Sequence, residues 1–295
     1  MSRAARIASR RWPWCKDSTH RPRLLAGLVA AATLALGAGP ATIGTQPPAT
    51  FTQPLDGTTV TFDMRLVKWT DPDGTARRLY VSTHEVSWDV FDVFVYQLDA
   101  PDEVAKADGI TRPSKPYISM DRGFGHAGYP AISMTGKGAA ACAAWLREKT
   151  GRPYRLPTEA EWLAIWDAGG LDATELPDAA WGRENSGGTT HPVAKRRADT
   201  SGLHDMAGNA AEWVRIAPDA DEFVVLGGSY LDPLAELGPE HRQEPQPAWN
   251  ASDPQFPKSV WWLADAGFVG FRLVCDVPAD ISITPDADPT EDPDA

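Results

Sequence analysis

The residues able to do chemistry are few and widely spaced. Three cysteines, Cys15, Cys142 and Cys275, match no metal-ligand spacing. The histidines at 84, 126, 191, 204 and 241 form no HxH or HxxxH pair, so no zinc or non-haem iron site is spelled out locally. No serine or cysteine stands beside a base in the manner of an activated nucleophile. Glu159 and Glu161 are close enough in sequence to suggest a pair for acid–base work. At i and i+2 of a helix, however, they leave on different faces, and each reads as architecture.

The elements that must position such residues are short. Gly numbers 25 and Pro 26, so much of the chain is turn and loop. Val60–Trp69 and Ala76–Val86 read as strands flanking a DPDG turn, which predicts a hairpin. Ser87 stands as the N-cap of a helix whose apolar face carries Val90, Phe91, Phe94, Val95 and Leu98. Lys137–Lys149 predicts a second helix, stopped by Gly151. Thr158 with Glu161 forms a capping box for a third, which Gly169 and Gly170 end. After Leu171 no helix is evident, and short apolar pieces alternate with turns. The pattern is α+β.

Charge and targeting signals set the context. A net charge of -12 argues against a nucleic-acid partner, because phosphate binding needs clustered Lys and Arg. Seven basic side chains and one acidic one fall within residues 1–24, and the apolar run Leu24 to Gly39 follows. That run is short for a membrane span, which needs about 20 residues, so residues 1–41 read as a signal peptide, with a retained N-terminal anchor as the alternative. Either reading exports the rest of the chain. Residues 42–50 form a polar linker, 51–276 the folded domain, and 277–295 an acidic tail expected to be disordered. Once Cys15 is set aside, two cysteines remain in an oxidising compartment. They read as one disulfide, two buried thiols being the alternative.

Ordered motifs then emerge: RLPTEAEW at Arg155–Trp162, ENSGGTTHPV at Glu184–Val193 and GLHDMAGNAAEWV at Gly202–Val214. VVLGGSY at Val224–Tyr230 and GFVGFRLV at Gly267–Val274 complete the series. Together they resemble the formylglycine-generating-enzyme, or sulfatase-modifying-factor, family across nearly all of residues 60–276. The resemblance implies a single loop-rich domain with that family's C-type-lectin-like fold, and a Cys142–Cys275 disulfide. It implies candidate calcium ligands at Asn209 and Glu212, where one tight turn offers hard oxygens. The family's oxidases carry two copper-binding cysteines just after the GGS strand. Here that stretch, Gly227 to Pro245, contains no cysteine, so copper is not expected. No catalytic residue is assigned. Ser229, Tyr230, His241 and Arg242 are the candidate binding residues of the active-face loop. Trp249, Phe256, Trp261 and Trp262 offer either an aromatic binding surface or core packing. The expected function is a non-oxidase binding or accessory protein, with a protein, glycan or small molecule as ligand. An enzyme of unassigned chemistry, related to the oxidases or to their non-haem iron relatives, is the alternative. A membrane would be met only through the N-terminal anchor.

Overall fold

The computed structural model describes residues 47–100, 112–116 and 118–277. The signal or anchor segment, most of the linker and the acidic tail lie outside the described residues.

The predicted hairpin is present. β2 (Thr61–Thr70) and β3 (Ala76–Ser82) pair antiparallel, with Met64 opposite Ser82 and Thr70 opposite Ala76. The turn closes through Gly74 N–H donating to the Asp71 carbonyl. Ahead of them, β1 (Thr50–Pro54) pairs with β2. This strand falls where the proline-containing linker was expected to give way, and mostly exposed positions hide it from a periodicity argument. α1 (Trp88–Tyr96) starts after Ser87 as expected, but the Ser87 hydroxyl does not cap it. Val86 and Trp88 are instead held by backbone bonds to Ala131 and Tyr129. α2 (Gly136–Thr150) is capped by Thr135, whose Oγ1 accepts from Gly138 N–H at 3.0 Å, and closes on left-handed Gly151. β4 is the two-residue strand Tyr154–Arg155. α3 (Glu159–Gly169) opens with the complete Thr158–Glu161 capping box. Glu161 also takes two 2.7 Å hydrogen bonds from Arg155, so it serves the helix start and not acid–base chemistry. The single-turn helix α4 (Leu176–Ala179) escaped prediction because one turn has no periodicity to read.

The remaining strands are β5 (Ala211–Arg215), β6 (Phe223–Gly227), β7 (Gly238–Gln243), β8 (Val269–Gly270) and β9 (Val274–Asp276). They complete two sheets, in the orders β1-β2-β3-β9-β4 and β7-β6-β5-β8. The closing GFR motif passes from one to the other. β8 belongs to the second sheet and β9 to the first, so only Phe271, Arg272 and Leu273 separate them. Two apolar clusters fill the interior. One gathers Phe91, Phe94, Trp213 and Phe271, and the other gathers Val81, Trp162, Val214 and Leu226.

The expected disulfide is absent: Cys142 and Cys275 are both free and buried. Cys142 packs in the apolar cluster from α2. Cys275 stands in β9 between Tyr80 and Tyr154, and its thiol donates to the Asp276 carbonyl at 3.6 Å. Each sulfur therefore behaves as a small core hydrophobe. Burial pushes the Cys275 thiol up to about 12 and raises Cys142 as well. Both thiols should resist alkylation in the folded chain and react fully, without any reductant, once it is unfolded in guanidinium. A pair that reacts only after reduction would restore the disulfide; intact mass measures either result.

Candidate functional site

The active-face loop begins at a break in the second sheet. The β6–β7 register shifts between Val225 and Gly227, and Gly227 and Gly228 take φ of +90° and +73°. A Cβ at Gly228 would stand 2.6 Å from the Leu237 side chain and 3.3 Å from the His241 ring. The bare backbone thus lets β7 bring His241 against the bend.

There Ser229 is buried, and its Oγ and N–H both donate to Asp232 Oδ2 at 2.9 Å. The same oxygen lies 3.5 Å from His241 Nε2. Gln243 Nε2 is 2.7 Å from that imidazole nitrogen. Asp232 is the residue that sequence reasoning missed; its signal was the three-residue spacing from Ser229, which suits a side chain folding back onto its own turn. Serine, aspartate and histidine are together, but the carboxylate is in the middle. An activated serine needs the imidazole there. The arrangement is a closed polar turn.

Two other candidates point elsewhere. Tyr230 is buried, with its ring edge-on to Phe124 at 5.4 Å, and its N–H donates to the Asn209 carbonyl. Arg242 leaves on the surface and donates to Glu159 at 2.7 Å and Glu244 at 3.2 Å. The proposed aromatic surface is mostly core. Trp249 and Trp262 are buried, in edge contacts with Trp213 and Phe91, and Phe256 alone of the four is fully exposed.

Beneath the turn lies a buried ionic cluster. Arg272 has no exposure at all and pairs with Glu212 at 2.6 Å. Its remaining donors go to the carbonyls of Ser82, His204 and Asp205. Trp162 Nε1 donates to Glu212 at 2.7 Å. Glu85, also unexposed, accepts from Ala210 N–H at 2.9 Å and from Asn209 Nδ2 at 3.1 Å. This carboxylate was not singled out in the sequence. Asn209 Oδ1 accepts from His191 N–H at 2.8 Å. The side-chain oxygens of Asn209 and Glu212 are therefore committed to protein donors. One carboxylate already neutralises a guanidinium, and the pair does not fit the calcium reading.

The cluster holds three carboxylates, Glu85, Asp205 and Glu212, for one guanidinium. Burial, then the charge of Asp205, holds the Glu85 carboxyl well above the usual range. Burial likewise raises Asp205 to about 6, against the Ala194 N–H bond that favours its charge. The second Asp205 oxygen has no partner among the described residues.

Two small sheets joined by a three-residue crossing, few helices and long loops define a C-type-lectin-like fold of the formylglycine-generating-enzyme type. The chain belongs to the family of the sulfatase-modifying factor enzyme 1-like domain, whose model matches residues 31–277. Among curated proteins it is similar to the serine/threonine-protein kinase Pkn1 of Chlamydia trachomatis, 34% identical over 119 residues, 39% of this chain and 18% of the kinase. The Pkn1 kinase of Chlamydia caviae is 38% identical over 94 residues, 30% of this chain and 14% of that protein. The chain thus spans under a fifth of either kinase in these matches. Treponema denticola variable protein 1 shares the fold at a TM-score of 0.54 and 19% identity, over 78% of this chain and all of that one. PvdO from Pseudomonas aeruginosa does so at 0.52 and 19%, over 79% of this chain and all of PvdO.

A pH dependence follows from Asp205. The folded chain keeps its proton up to about 6, whereas an unfolded aspartate releases it near 3.8. The stabilisation from that proton is complete below the lower value and lost as pH rises through the upper one. Urea midpoints of wild type should fall relative to Asp205→Asn as pH rises across that interval. A difference that stays constant would contradict the assignment.

Proposed function

We propose that this is an exported, non-oxidase member of its family that binds a ligand through the face around the Ser229–Asp232–His241 turn. Export rests on the basic N-terminus and the apolar run Leu24 to Gly39. The observation carrying the non-oxidase reading is the turn itself. The stretch that supplies two copper cysteines in the family's oxidases has none here, and Asp232 organises it by hydrogen bonds instead. Cys142 and Cys275 are core residues with raised thiol pKa, the reverse of what a thiolate ligand needs. Calcium is left out because Glu212 spends its side-chain oxygens on Arg272 and Trp162, and Asn209 Oδ1 accepts from His191 N–H.

A second reading, an enzyme of unassigned chemistry, is favoured by one feature. His241 is mostly buried and faces Asp232 at 3.5 Å, an imidazole beside a carboxylate at a loop-lined surface. The kinase activity of the curated relatives is not carried over.

Copper retention separates these readings from the family's oxidase chemistry. The full chain, loaded with Cu(I) and desalted, should keep far less than one copper per chain by mass spectrometry. It should also leave a cysteine-containing acceptor peptide unmodified. Stoichiometric copper with conversion of that peptide would overturn the proposal.

A further inference from the structure

The first sheet ends in an unmatched basic face. Lys68 of β2 and Arg78 of β3 are cross-strand partners, and both are exposed. Leu66 and Tyr80 are partners two residues further along, so all four side chains share one face of the sheet. Arg152, just past α2, joins them. Its guanidinium carbon lies 4.4 Å from the centre of the Phe51 ring, and that ring meets Tyr80 edge-on at 4.8 Å. Burial raises the Tyr80 pKa, while the charges of Arg152 and Arg78 both lower it, so both guanidinium groups act on that one hydroxyl.

No carboxylate among the described residues pairs with Lys68, Arg78 or Arg152. The cations around them are matched: Arg77 by Asp71, Lys149 by Asp99 and Arg155 by Asp276. The whole chain, by contrast, has a net charge of -12. The described chain also leaves the fold at this face. Asp276 stands opposite Leu79 in the register of β9 on β3, and Arg155 holds its carboxylate at 2.7 Å. One residue on, that register brings Val277 level with Arg78, and Val277 packs against the Phe91 cluster as Leu66 and Tyr80 do. Residues 278–295 follow, with six acidic side chains and no basic one. Asp280 is three residues from Val277, within about 10 Å even of extended chain. The other five begin at Asp286, which leaves enough chain to turn back.

We propose that residues 278–295 are the partner of this face, their carboxylates pairing with Lys68, Arg78 and Arg152. Exposed ion pairs contribute little singly and weaken with salt. Here the tether makes the contact intramolecular, at an effective concentration on the order of millimolar, and several carboxylates can exchange over three cations. An acidic partner from outside would first have to displace a segment that starts on the spot. The contact involves the first sheet, whereas the Ser229 turn belongs to the second, so it is independent of whether that turn binds or catalyses.

Zero-length carbodiimide crosslinking of the full chain, mapped by mass spectrometry, tests this. At about 0.01 M ionic strength, where charges act over roughly 30 Å, Lys68 should form amides with carboxylates of residues 280–294. At about 1 M, where that range is roughly 3 Å, these links should fall at least about fivefold. Lys137 is the control: it is exposed at the opposite end of α2 from Arg152, about 20 Å away at roughly 1.5 Å per residue, and should form few links to the same segment. Arg78→Gln combined with Arg152→Gln should weaken the Lys68 links in a chain that circular dichroism shows to be folded. Mixing isotope-labelled and unlabelled chains separates links within one chain from links between two. Absence of the Lys68 links, links indifferent to salt or to the folded double variant, or links formed mainly between chains would each contradict the proposal.

Discussion

A single fully buried guanidinium holds the molecule's parts in register. Arg272 stands in the three-residue link between β8 and β9, where the chain leaves one sheet for the other. Its donors reach the end of β3 at Ser82, the loop at His204 and Asp205, and Glu212 of β5. Glu212 in turn receives Trp162 of α3. Both sheets, a helix and a long loop thus meet on one charged pair. Such a pair is not a simple source of stability, since desolvation costs about as much as attraction returns. Parting the two is what costs, because any arrangement that separates these segments leaves a buried charge unmatched.

The surface follows from that interior. Asp205 and Asn209 take left-handed backbone, at φ of +55° and +52°, where the loop bends to offer its carbonyls and amides to the cluster. Asn209 then connects outward, its carbonyl accepting from Tyr230 N–H and its amide oxygen from His191 N–H. The Ser229–Asp232–His241 turn therefore sits on a layer whose polar atoms are almost all spoken for. Loops carry recognition well when a rigid scaffold presents them, and this one is presented by β5, β6 and the ionic cluster below. The excess of carboxylates over guanidinium in that cluster makes protonation part of the folded state.

Much of this was legible in the chain because local signals and tertiary roles coincided. The DPDG hairpin, the Thr158–Glu161 box and the left-handed glycines after α2 and α3 are short-range effects, and each appears where its residues predict it. Partnerships across long sequence distance were not readable. Glu85 meets Asn209 more than a hundred positions away, with no pattern linking them. Asp232 and His241 are likewise apart in sequence, and only β7 brings them together. The cysteine pairing failed for the same reason: parity of count says nothing about where two side chains are buried. The tryptophans of the 249–262 stretch were equally readable as surface or core, and packing against Trp213 and Phe91 makes Trp249 and Trp262 core.

The most direct test of Arg272 as the tie between the sheets is a double-mutant cycle with Glu212, read by urea unfolding. Arg272→Met and Glu212→Gln should each cost about 3–5 kcal/mol, because each strands a buried partner. Combined, they should cost clearly less than the sum, since the second change removes the charge that the first left unpaired. Single losses below about 1 kcal/mol that simply add would contradict it, placing the pair among the surface-like ion pairs that contribute little.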